Sequence, residues 1–178
     1  PLAKGALQRG ASIHENTLVQ RLVVRQGKVA GVETENGIIE TDRVLLAGGL
    51  WTHGFAKQHG VTVPLHAAEH FYIVTEPIDG LPRSLPGLVI AEERAYCKED
   101  AGKLLIGGFE ARGKAWGTEG IPDSFEFDEL PFDMEQASPV LDIVFQRLPQ
   151  LADFGIKTFF CGPESFTPDG RPYLGPAP

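Results

Sequence analysis

The chain has 178 residues, with 16 Lys and Arg against 24 Asp and Glu, for a net charge of −8. That balance repels phosphate backbones and argues against a nucleic-acid partner. Hydrophobic residues make up 42%, enough for a real core in one domain or two small ones. The 21 Gly and 14 Pro make the chain loop-rich, but below the roughly 25–30% that marks low-complexity disorder.

Cys97 and Cys161 form no C-x-x-C pair and read as buried thiols. The longest apolar run, about Val44 to Trp51, falls far short of the roughly 18 residues that cross a bilayer, so no membrane association is expected. The chain opens on Pro1 and closes on Pro176-Ala177-Pro178, and it is expected to be an internal piece of a longer protein.

In chain order, Leu2 to Arg9 reads as the end of a helix stopped by Gly10. Thr17–Arg25, Lys28–Glu35 and Ile38–Thr41 read as three strands of an antiparallel meander, with turns at Gln26-Gly27 and Asn36-Gly37. Asn-Gly predicts a type I′ turn there. Val44 to Ala47 is uniformly apolar, the pattern of a strand buried on both faces of a parallel sheet. It leads into Gly48-Gly49 and a short helix over Trp51–His59 that Gly60 ends.

His70 to Pro77 alternates, with Phe71, Ile73 and Thr75 on one face and His70, Tyr72, Val74 and Glu76 on the other. Pro77–Pro86 is a loop, Ala95–Lys98 and Lys103–Phe109 make a hairpin about Asp100-Ala101-Gly102, and Gly113–Phe132 is loop. The one long helix is predicted between Asp133 and Leu148, with Leu141, Val144, Phe145 and Leu148 as its apolar stripe. Asp133 and Gln136 resemble a capping box, and Ser138-Pro139 predicts a break or second start. Lys157–Cys161 is a last strand, followed by a turn-rich exit from Gly162.

No G-x-G-x-x-G, P-loop or G-x-S-x-G is present. His66 and His70 lack a third convergent ligand, so no metal site is expected. Four features remain, each with two readings. Ala47-Gly48-Gly49-Leu50-Trp51 is a tight turn into a helix or a close approach of backbone to a ligand. His70, Tyr72 and Glu76 face solvent or a site. Tyr96 packs or supplies a hydroxyl to chemistry. Gly162 to Pro172, rich in Pro, Asp and Gly, is a loop of defined shape around something the composition does not name.

The order of these blocks carries a resemblance. The meander is followed by Thr41-Asp42-Arg43-Val44-Leu45-Leu46-Ala47-Gly48-Gly49-Leu50-Trp51 and then by Ala68-Glu69-His70-Phe71-Tyr72-Ile73-Val74-Thr75-Glu76. Leu105-Ile106-Gly107-Gly108-Phe109-Glu110 and Gly162-Pro163-Glu164-Ser165-Phe166-Thr167-Pro168-Asp169-Gly170 come after them. Over nearly its whole length the chain resembles the FAD-dependent amine oxidoreductases of the D-amino-acid-oxidase superfamily, in particular the dimethylglycine and sarcosine dehydrogenase branch.

The resemblance implies an α/β (α+β) fold. Residues 1–61 would be part of a Rossmann-like FAD-binding domain, an antiparallel meander plus a late strand. Residues 62–166 would be a substrate-binding domain with a mixed, largely antiparallel sheet, and residues 167–178 would return to the FAD-binding domain. It also implies FAD as cofactor, with Val19 against the adenine and Ala47, Gly48 and Trp51 against the cofactor. His70 and Tyr96 would be catalytic, facing flavin and substrate; relatives often carry Tyr-Tyr where this chain has Tyr96-Cys97.

The implied activity is oxidative demethylation of a small N-methyl amino acid by hydride transfer to flavin. His70 would serve as base or hydrogen-bond partner to the amine. The resemblance allows a folate-binding domain in the same parent chain. The expected location is the cytoplasm, or the mitochondrial matrix in a eukaryote. The alternatives are a non-catalytic regulatory or interaction subunit with the same fold, and a bare binding module. With no glycine-rich phosphate turn of its own, the chain by itself is expected neither to hold FAD nor to turn over substrate.

Overall fold

A computed structural model describes residues 1–122 and 124–177. The chain divides into two compact units, one built on Pro1–Val63 and one on Pro64–Gly175.

The first unit opens with helix α1 (Leu2–Gln8), which buries no side chain and stops at Gly10 with φ +88°. Strands β1 (Val19–Arg25), β2 (Lys28–Thr34) and β3 (Gly37–Glu40) then form the predicted antiparallel meander, in the order β1-β2-β3. Its first turn holds both central residues, Gln26 and Gly27, at positive φ (52° and 74°), as a type I′ turn requires.

The second turn departs from the expectation. Thr34 pairs with Gly37, so the turn residues are Glu35 and Asn36, and only Gly37 has positive φ. The Thr34 hydroxyl decides this: it donates to the Gly37 carbonyl (2.9 Å) and accepts from the Asn36 N–H (3.2 Å), a side-chain turn that competes with type I′.

Val44–Ala47 lies in neither sheet, contrary to the predicted buried strand. A strand needs ladder partners on its edges, and no described strand pairs with this segment; Leu45 is 90% exposed. A 3-10 turn (Gly49–Trp51) then enters helix α2 (Thr52–Gln58), and Gly60 follows with φ +76°. His59 ties α2 to β1: its Nδ1 lies 2.9 Å from the Phe55 carbonyl and its Nε2 accepts the Leu22 N–H at 2.9 Å.

The second unit contains β4 (His66–Thr75), β5 (Leu88–Ile90), β6 (Ala95–Asp100), β7 (Lys103–Gly108), α3 (Met134–Arg147) and β8 (Ile156–Phe166). The five strands form an antiparallel sheet in the order β5-β6-β7-β4-β8. The β6–β7 hairpin closes on Ala101-Gly102, both at positive φ (50° and 83°).

The Gly162–Phe166 stretch, expected to be a turn-rich exit, is instead strand. Because β4 begins at His66 rather than His70, it offers partners from His66 to His70 for Phe166 back to Gly162. Pro163 is tolerated because β8 lies at the edge of this sheet. The turn follows one residue later, where the Gly170 N–H donates to the Thr167 carbonyl.

Helix α3 packs on β6 and β7. Phe71, Ile73, Ala95, Cys97, Leu104 and Ile106 form the sheet side of the core, and Ala137, Val140, Leu141 and Val144 the helix side. The buried stripe sits one turn nearer the N-terminus than predicted; Phe145 and Leu148 only flank the core. Asp133 caps the helix by accepting the Glu135 and Gln136 N–H groups. The Gln136 amide does not close a box but donates to Glu110 (2.8 Å). Nor does the helix break at Pro139: it runs unbroken through it, since proline removes a single donor early in the helix while the Ala137–Val144 stripe is held by packing.

Gly108 sets where the helix seats. A Cβ there would meet the Val140 Cγ1 and stand 2.5 Å from the Arg94 carbonyl oxygen. The expected outcome for Gly108→Ala is a loss of about 1–3 kcal/mol in stability, measured by denaturant unfolding, because overpacking against backbone is relieved only by shifting α3 or β6.

Candidate active site

The sheet has two faces, and α3 covers one of them. Strand β4 alternates across them: Ala67, Glu69, Phe71 and Ile73 are buried on the helix side, while Ala68, His70 and Tyr72 are half-buried on the other. Cross-strand partners share a face, so the register of β8 puts Phe160 beside Tyr72, Gly162 beside His70 and Glu164 beside Ala68. Tyr96 on β6 and Tyr72 on β4 both pair with Gly107 on β7, from opposite sides.

Gly107 is what allows the central contact. A Cβ at that position would lie 2.5 Å from the Tyr96 hydroxyl oxygen, so the tyrosine ring leans across the vacant space. Its Oη reaches 3.3 Å from Nε2 of His70. Glu164 Oε2 stands 3.9 Å from the same nitrogen. Phe109 stacks on the His70 ring (centroids 4.7 Å, interplanar 21°) and meets Phe166 edge-on at 6.4 Å. Phe160 stacks on Tyr72 at 4.5 Å and leans over Gly162, whose Cβ would stand 2.9 Å from its ring.

Beneath the histidine, the backbone is pinned. Strand β7 pairs with β4 only over Tyr72–Val74, and residues 114–116 occupy the edge it leaves free. The Glu69 N–H donates to the Lys114 carbonyl (2.8 Å) and the Trp116 N–H to that of Ala67 (2.9 Å). Lys114 Nζ then pairs with the buried Glu69 carboxylate at 3.2 Å and with Asp133 at 3.6 Å, which is how a carboxylate survives on the core face.

Burial pushes the Tyr96 phenol above its ordinary value, and the charges of Glu164, Tyr72 and Glu110 push the same way. Nδ1 of His70 is buried and has no hydrogen-bond partner among the described residues. The His70–Tyr96 polar pair set among aromatic rings fits a ligand with a flat face and a hydrogen-bonding edge, either a heteroaromatic ring such as flavin or an amine. Cys97 and Cys161 are free and buried, their thiols pushed up to about 11, chiefly by burial.

The structure thus brings together two of the sequence-predicted site residues, His70 and Tyr96. Cys97 points the other way, into the core against α3, so a tyrosine at that position would not reach the His70 face. The other four lie in the first unit. Val19 opens β1 at 39% exposure, Ala47 and Gly48 are exposed in the segment before the 3-10 turn, and Trp51 ends that turn at 46% exposure. Sequence reasoning did not single out Glu164, Phe109 or Gly107. The paired glycines Gly107-Gly108 were the available signal, one serving each face of β7.

A family model described as DAO, FAD dependent oxidoreductase, matches residues 1–178. The chain belongs to that family. It is 37% identical to mouse mitochondrial sarcosine dehydrogenase over 99% of its length and 20% of that protein. It is 41% identical to the formaldehyde-forming 4-methylaminobutanoate oxidase of Paenarthrobacter nicotinovorans, over 98% of its length and 21% of that protein. The mitochondrial pyruvate dehydrogenase phosphatase regulatory subunit of mouse is 36% identical over 99% and 20%. The chain therefore spans about a fifth of the length of these relatives. Among solved structures, L-proline dehydrogenase from P. horikoshii shares the fold, with a TM-score of 0.78 at 23% identity over 98% of this chain and 44% of that one.

The elevated Tyr96 phenol yields a titration test. Neutral phenol is favoured in the folded state, so this stabilisation is complete below the ordinary value of 10.0 and is lost as pH rises through the elevated one. Ultraviolet titration of the protein is expected to show a late-ionising phenol that disappears in Tyr96→Phe and moves down in Glu164→Gln.

Proposed function

We propose that this chain forms the amine-facing sheet of a longer FAD-dependent oxidoreductase that oxidatively demethylates a small N-methyl amino acid of the sarcosine or dimethylglycine type. The observation that carries the reading is the His70–Tyr96 pair at 3.3 Å on an aromatic sheet face. The likeness to a sarcosine dehydrogenase and to a formaldehyde-forming 4-methylaminobutanoate oxidase supports it. Sarcosine and 4-methylaminobutanoate share an N-methyl ammonium and differ in how far away the carboxylate lies.

FAD, when bound, supplies the two-electron acceptor for an N-methyl C–H bond, and water converts the resulting iminium to formaldehyde and the demethylated amine. The chain's own residues prepare the amine for that chemistry. His70 accepts a proton from the substrate ammonium as a general base, leaving the nitrogen lone pair free. Tyr96 holds the imidazole through Nε2. Phe109, Phe160 and Phe166 exclude water beside it. Val19, Ala47, Gly48 and Trp51 are proposed as contacts to the edges of the cofactor, His70 and Tyr96 as groups facing flavin and substrate.

A second reading, a non-catalytic regulatory subunit, is supported by the likeness to the phosphatase regulatory subunit. Turnover separates the two. The full-length flavoprotein is expected to form formaldehyde from sarcosine, dimethylglycine or 4-methylaminobutanoate, and His70→Phe to lower kcat/KM by about 10²–10⁴ while retaining flavin. Bound flavin without turnover of any of the three would favour the regulatory reading.

Residues 1–178 alone are expected to purify colourless after incubation with excess FAD. A pyrophosphate is held at a glycine-rich turn opening a helix, this sequence has none, and its charge of −8 opposes an anionic ligand. A stoichiometric flavin band would overturn that placement of the cofactor site.

A further inference from the structure

We infer that Glu164 is a specificity-determining residue, the counter-ion that selects the ammonium group of the substrate. This sheet face then reads the charged nitrogen, while the substrate carboxylate is read elsewhere in the protein. The inference rests on the demethylation reading above and adds the group that recognises the amine.

Three observations carry it. Glu164 stands on the same face as His70, opposite the small Ala68, with its Oε2 3.9 Å from His70 Nε2 and its side chain half-exposed. Among the described residues His70 is its sole ion-pair partner, and no Lys or Arg lies within ion-pair distance of it. The cations of this unit that pair do so with other carboxylates: Lys114 with Glu69 and Asp133, Arg83 with Glu99, Arg147 with Glu93. Beside burial, the negative charges of Glu164 and Glu110 push the Tyr96 phenol up, so both lie close enough to act on it.

The field at the His70–Tyr96 pair is therefore negative. Such a face attracts an ammonium and repels a carboxylate, so it discriminates by charge as well as by contact. His70 cannot neutralise Glu164 permanently, because a base that takes the substrate proton must start the cycle without it. The carboxylate is left facing the amine across the imidazole. The ammonium is common to the N-methyl amino acids proposed above, and the position of their carboxylate is not, so the shared feature is the one this face can select.

The test is a charge-isostere comparison on the full-length flavoprotein. Butyrate has the shape of sarcosine with carbon in place of the charged nitrogen, and hexanoate stands in the same relation to 4-methylaminobutanoate. The KM of the amine and the inhibition constant of its isostere are measured, using whichever pair contains the better wild-type substrate. Glu164→Gln is expected to raise the KM of the amine about tenfold or more, to change kcat much less, and to leave the isostere's inhibition constant unchanged or lower. Glu164→Asp, which keeps the charge, is expected to retain most of the discrimination, and Glu164→Ala to lose it as the glutamine does. Flavin content and melting temperature verify that each variant is folded.

Equal weakening of amine and isostere would show a structural role and overturn the inference while leaving the demethylation reading intact. A wild-type protein that oxidises no N-methyl amino acid would instead overturn that reading, and the role of Glu164 with it.

Discussion

Everything at the candidate site depends on the two-residue alternation of one strand. Strand β4 buries Phe71 and Ile73 under α3 and presents His70 and Tyr72 on the opposite face. A slip of one residue would drive the imidazole into the core and expose two large apolar side chains, so the hydrophobic effect that folds the sheet also fixes the face on which the histidine stands. The buried Glu69 enforces the same register. It sits on the core side only because Lys114 reaches it from the neighbouring loop while also pairing with the cap of α3.

Glycines turn that register into a site. Gly107 leaves room for Tyr96 to lean toward His70, Gly162 leaves room beside the histidine for the Phe160 ring, and Gly108 lets Val140 of α3 approach the opposite face. None of the three has a positive φ, so their role here is close approach rather than backbone freedom. The aromatic rings that settle into this space surround a polar pair, His70 and Tyr96, whose Nε2 and Oη stand 3.3 Å apart.

Much of this was legible in the sequence wherever local chemistry decides the outcome. The alternation from His70 to Thr75, the Gln26-Gly27 turn and the Asp133 cap each follow from residues within a few positions of one another. What the sequence did not disclose depends on partners distant along the chain. The Thr34 hydroxyl overrode the Asn36-Gly37 signal; the early start of β4 converted Gly162–Phe166 from an apparent turn into strand; and Val44–Ala47 reads as buried yet pairs with no strand described here. Glu164 belonged to the same misread stretch. Its place beside His70 becomes visible only once the β4–β8 register is known.

The central claim is that His70, Tyr96 and Glu164 together form an amine-recognising face. The most direct measurement is a crystal structure of the full-length flavoprotein with a bound N-methyl amino acid. The account predicts the substrate nitrogen on this sheet face, within about 3.5 Å of His70 or Tyr96 and nearer to Glu164 than the substrate carboxylate is. A substrate whose carboxylate, rather than its nitrogen, faces His70 and Glu164, or one bound away from this sheet face altogether, would contradict it.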